Sequence, residues 1–98
     1  MKNNFQRKYE REYQRALLAG TKHLLKGEQL EKSNDLFKAL DMYYDAKYSF
    51  KYARSFARVM ADAPYIMEAQ VLVNCTVGKI GALEQTIDER EMNDDISY

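Results

Sequence analysis

Few side chains in this sequence are equipped for chemistry. Its 98 residues include one histidine, one cysteine and no tryptophan, beside eight tyrosines and fifteen carboxylates. His23 stands among lysines where a first helix is expected to end, a position that suits a capping or surface role better than general-base work. Cys75 falls in the most apolar stretch and is expected to be a small buried side chain, with only the distant His23 to activate it as a nucleophile. Carboxylates recur one helical turn apart at Asp41 and Asp45, at Glu84 and Asp88, and at Asp88 and Glu91, a spacing that solvated helix faces carry routinely. The Glu-x-x-His spacing of a helical di-iron centre is absent, as are phosphate-cradling glycine loops and paired cysteines. No catalytic residue, metal, cofactor or small-molecule substrate is therefore expected, and the chain does not read as an enzyme.

What remains is binding. A tyrosine can bury its ring and keep its hydroxyl wet, so the run Tyr44, Tyr48, Tyr52 and Phe56, stepping by four along one helix, is expected to anchor a partner protein. Tyr43, in the core register of the same helix, is expected inside. A second kind of surface is basic. Arg7, Arg11 and Arg15, with Lys22 and Lys26, lie near one face of the first helix. Lys47, Lys51, Arg54 and Arg58 stripe the second, interleaved with the rings, and no acid falls between Asp45 and Asp62. Such stripes can contact phosphates while aromatics stack on unpaired bases. The pI of about 6.6 and the absence of a zinc-finger or RNA-recognition signature count against that use. The leading expectation is a non-enzymatic protein-protein interaction module, an oligomeric accessory or inhibitor protein of the kind a bacterium or phage employs. A nucleic-acid-binding regulator is the alternative.

These surfaces need helices to position them. Apolar residues make up 46% of the chain, enough for one modest core, and punctuation is scarce: one proline, Pro64, and four glycines. An all-α, antiparallel three-helix arrangement is expected, with helices over about 3–26, 33–62 and 64–91. In the first, Phe5, Tyr9, Tyr13, Ala16, Leu17, Gly20 and Leu24 form an apolar stripe, and Gly27 reads as a C-terminal cap. Ser33 or Asn34 is expected to cap the second, whose seam of Leu36, Ala39, Tyr43, Ala46, Phe50, Ala53, Ala57 and Met60 alternates steps of three and four. Ile66, Ala69, Val73, Thr76, Ile80, Leu83 and Ile87 do the same in the third. Residues 70–77 there are β-branched enough for a strand, but nothing alternates with period two to pair with them, so helix is the expectation. Opposite that seam, Cys75, Gly78 and Ala82 make a small-residue face. Residues 92–98 read as an acidic, disordered tail on a single domain spanning 1–91.

Residues 36–64 resemble one tetratricopeptide repeat at Leu36, Ala39, Tyr43, Phe56 and Pro64. That family stacks several units of about 34 residues. No second copy follows at that offset, and Lys47 stands where the turn glycine belongs, so the family's peptide-binding role is not carried over.

Fifteen basic and fifteen acidic residues give zero net charge, but the sum conceals polarity. Residues 1–26 carry +5 and residues 84–98 carry −5. The plain expectation is that the basic first helix lies beside the acidic end of the third, within the chain or across a dimer. The extra aromatic side of the second helix makes a homodimer the preferred way to cover it. With one cysteine, no apolar leader and no membrane-spanning run, a cytoplasmic protein without membrane association is expected.

Overall fold

A computed structural model describes residues 3–96, and it is all helix apart from its turns. The three helices are α1 (Asn4–Lys32), α2 (Leu36–Val59) and α3 (Ala63–Ile96). They form an elongated body with extents of 67 × 19 × 13 Å. Residues 70–77 are helical throughout, in keeping with a chain that offers no pairing strand. The helix α2 is also unbroken at Lys47, so no tetratricopeptide turn exists there.

The N-terminus of α1 is fixed by a reciprocal cap. The Asn3 side chain accepts from the Gln6 backbone N–H at 2.8 Å, and the Gln6 side chain accepts from the Asn3 N–H at 3.3 Å. The helix then runs six residues beyond Lys26, because Gly27 is not a cap. A Cβ at Gly27 would lie 2.6 Å from the Tyr43 ring, and one at Gly20 would lie 2.5 Å from the Phe50 ring. Both glycines exist to admit an aromatic ring of α2. His23 consequently sits in the middle of α1, half-buried, where no terminal carbonyls are free for it to cap.

Both turns use one device. At the first, the Asp35 N–H reaches the Leu30 carbonyl at 2.9 Å and Asn34 adopts a left-handed φ of 63°. At the second, the Asp62 N–H reaches the Ala57 carbonyl at 3.1 Å and Ala61 takes φ 54°. Each is a Schellman closure with a left-handed residue just past the helix. Asn34, expected to cap α2, is instead the residue that ends α1, and Asp35 takes the N-cap position without a side-chain cap bond. Asp62 caps α3 by accepting from the Tyr65 N–H at 3.1 Å. Pro64 then falls in the first turn, where its missing N–H is not needed.

The core lies along α2. Tyr13, Ala16, Ala53, Ala57 and Ala69 pack at one end, Ala46, Phe50 and Val73 in the middle, and Ala39, Tyr43, Ile80, Leu83 and Ile87 at the other. Ala39, Ala46 and Ala53 are all fully buried, and these alanines seven apart let the flanking helices come close. Backbone contacts join α2 to both neighbours, whereas α1 and α3 meet mainly through side chains.

Two antiparallel crossings leave α1 and α3 parallel, and side chains fix their register. The Tyr65 hydroxyl donates to Glu10 at 3.0 Å, the Tyr13 hydroxyl to Glu68 at 2.5 Å, and Lys79 pairs with Glu28 at 3.3 Å. Further along, Arg90 donates to Asn34. The basic start of α1 therefore lies beside the start of α3, and the acidic end of α3 is at the far end of the body. This corrects the expectation that the two charged ends meet within the chain. The reason is topological: an up-down-up path puts the two N-termini of the outer helices together. The third helix continues past Glu91 to Ile96, and of the tail expected over 92–98, residues 97 and 98 lie outside the described residues.

Candidate functional site

With Ala39, Tyr43, Ala46, Phe50, Ala53 and Ala57 turned inward, α2 exposes the opposite ridge. Tyr48 and Tyr52 are 59% and 61% exposed on it. The Tyr52 ring meets Phe56 edge-on at 4.7 Å, Phe56 meets Tyr9 of α1 at 5.8 Å, and Tyr9 meets Phe5 at 4.5 Å. Four rings thus run from the ridge of α2 across to the start of α1. The Lys47 ammonium stands 4.6 Å from the Tyr44 ring and 4.8 Å from that of Tyr48, a cation–π arrangement that extends the patch by a charged edge.

The four expected anchors divide. Tyr48 and Tyr52 stand exposed on the ridge. Tyr44 is half-buried toward α3 and donates its hydroxyl to Glu84 at 3.0 Å, which raises its pKa, chiefly because that bond holds the proton, with burial adding to it. Phe56 is half-buried toward α1. Tyr43 is fully buried as expected, and its hydroxyl donates to Glu31 at 2.6 Å. Phe5 and Tyr9, in the stripe of α1, are also the rings that the sequence offers as internal partners for the aromatics of α2, and Tyr9 does meet Phe56. Their place in the ring ladder depends on the antiparallel register with α2, which no local pattern encodes.

The basic residues are not gathered onto one surface. Arg7, Arg11 and Arg15 are exposed on α1, with Arg15 paired to Glu12 at 3.2 Å. On α2 the stripe borders α3. Lys47 and Lys51 are half-buried, and Arg54 donates to Gln70 of α3 at 2.8 Å while its Nε is buried without a partner. Arg58 alone of the four is exposed. One stripe thus lies on the outside of α1 and the other on the α3 side of α2.

Cys75 is exposed, not buried as expected, because α3 is covered on one side only. Among the described residues no group of three or more histidine, cysteine, aspartate or glutamate side chains could hold a metal ion. A hollow of about 380 Å³ is lined by Glu28, Glu31, Lys32, Tyr43 and Lys79, of which all but Lys32 are engaged in the Tyr43–Glu31 bond and the Lys79–Glu28 pair. No described helix is long and apolar enough to cross a membrane. Comparison with protein-family models, curated proteins and solved structures gives no match to this chain.

Proposed function

We propose that this protein is a non-enzymatic protein-interaction module, an accessory or inhibitor protein that covers or bridges another macromolecule and associates with itself. The observation that carries the reading is the set of exposed rings Tyr48, Tyr52 and Phe5, the last two joined through the half-buried Phe56 and Tyr9. Rings held by their neighbours bury large area in a partner at small entropic cost, which is why such residues dominate binding energy at interfaces. The exposed Cys75 thiol fits work in the reducing cytoplasm.

The test is affinity capture from the lysate of the encoding organism, comparing the native chain with Tyr48→Ala/Tyr52→Ala. Both positions are exposed, so the variant keeps its fold, as circular dichroism will show. We expect a protein retained by the native chain and lost from the variant. Tight binding of single-stranded oligonucleotide that falls steeply with salt, and that Lys51→Glu with Arg54→Glu abolishes, would replace this reading with the nucleic-acid one.

A further inference from the structure

The flank of the molecule away from the ring ladder is also apolar. Between α1 and α3 lies an open groove of about 610 Å³ lined by Leu17, Thr21, Pro64, Met67, Glu68, Val71 and Leu72. Met67 is 68% exposed and Val71 57%, and Leu18 of α1 is 58% exposed. The same face of α3 continues through Cys75 and Gly78 to Ala82, with nothing within 4 Å of where a Gly78 Cβ would stand. One half of this stripe is bulky and the other half small.

We propose that this groove is the surface of an antiparallel homodimer, closed by a two-fold axis beside Cys75. With the axis there, Met67 of one copy falls opposite Ala82 of the other and Val71 opposite Gly78, so the bulky half fills the small half twice over. A two-fold interface requires this kind of self-complementarity. Charge selects the same orientation. The bonds Tyr65–Glu10 and Tyr13–Glu68 both join residues 55 apart in sequence, which fixes the height of α1 against α3. Turning a second copy about Cys75 then sets its Arg7 and Arg11 level with the acidic end of α3, where the exposed Glu89 stands five helical turns from Val71 on the same face. A parallel pairing would set basic end against basic end and acidic end against acidic end.

The placement of charge is otherwise hard to explain. No acid occupies the first turn of α1 and no base the last turn of α3. Arg7, in the first turn of α1, opposes the helix dipole, and the like charges of Glu84, Asp88 and Glu91 stand one turn apart on α3. Each copy alone bears that penalty, and the opposite end of a second copy relieves it. A face running along much of a body 67 Å long and 19 Å wide suffices for the ~800 Å² per partner of a stable pair. The ring ladders remain outside, one on each copy.

Sedimentation velocity on the full chain tests this. The expected result is a dimer at micromolar concentration that dissociates as salt rises. Val71→Asp, at an exposed position, should give a monomer with unchanged helicity. Arg7→Glu/Arg11→Glu should weaken the dimer at least tenfold, and adding Asp88→Lys/Glu89→Lys to the same chain should restore it. Mild oxidation should link the native dimer through Cys75 into a species that dithiothreitol reverses, and Val71→Asp should not link. A chain monomeric to millimolar concentration overturns the proposal, as does a dimer indifferent to Val71→Asp. A dimer lost in Tyr48→Ala/Tyr52→Ala moves self-association to the ring ladder, overturning this inference while leaving that ridge a binding surface.

Discussion

Gly20 and Gly27 cost α1 helix propensity, since glycine in a helix is about 1 kcal/mol worse than alanine. Their neighbours reverse that sign. A Cβ at either would enter the ring of Phe50 or Tyr43, both fully buried and unable to swing aside, and overpacking of this kind costs about 1–3 kcal/mol. We expect Gly20→Ala and Gly27→Ala each to destabilise by about 1–2 kcal/mol in urea titrations. Gly81→Ala, with open space around it, should stabilise by about 0.5–1 kcal/mol. Burial, then the bonds to Glu68 and Glu31, push the hydroxyls of Tyr13 and Tyr43 well above the usual tyrosine range. A group whose folded pKa is raised stabilises fully below its unfolded pKa of about 10 and loses that contribution as pH climbs beyond it. Alkali should therefore weaken the native fold. Tyr13→Phe and Tyr43→Phe should each lose about 1 kcal/mol at pH 7 and show a smaller further fall at about pH 11, read from urea midpoints at the two pH values.

The element that sequence reads best is α2, whose eight-residue seam from Leu36 to Met60 is the line along which both neighbours pack. Its ends were less legible, because both turns hinge on a left-handed residue and neither carries the usual glycine. Asn34 tolerates that conformation through its short polar side chain, whereas Ala61 does so under strain. Ala61→Gly should accordingly raise stability by about 1 kcal/mol, an increase in thermal midpoint that calorimetry will detect. Gly27 misled for the same local reason: a glycine after lysines looks like a cap until the ring of Tyr43 on another helix explains it. Cys75 and the small residues of α3 were legible as a face, but not as an open one. Coverage depends on how far apart α1 and α3 stand, and the bulk of α2 between them sets that distance. The candidate site divides likewise: Tyr48 and Tyr52 follow from helical spacing, whereas Phe5 and Tyr9 join them only through the register of α1 on α2.

At the scale of the whole molecule the parallel run of α1 and α3 converts zero net charge into a long dipole. Level by level, Arg7 to Arg15 stand roughly 40 Å from the acidic end of α3, on the 1.5 Å rise per helical residue. The helix macrodipoles of α1 and α3 point the same way, positive end with the basic cluster, and α2 cancels only one of them. At each pole of a single copy, side-chain and backbone charge therefore have the same sign. Reversing the acids of one pole should consequently act in opposite directions on the two states of the chain. In Asp88→Lys/Glu89→Lys the new cation at position 88 faces Glu84 one turn before it in place of a like charge, so the isolated fold should gain about 0.2–0.5 kcal/mol at low ionic strength, and salt should erase the gain. The same variant should weaken self-association, since residues 84–98 fall from −5 to −1 and no longer offer an acidic pole to the basic one. Thermal unfolding of the dilute protein at low and high salt, run beside sedimentation at micromolar concentration, checks the pair. A variant both less stable and monomeric would mean that the acids support α3 itself, whereas one more stable and monomeric shows that they are kept, against the helix's own preference, for the second copy.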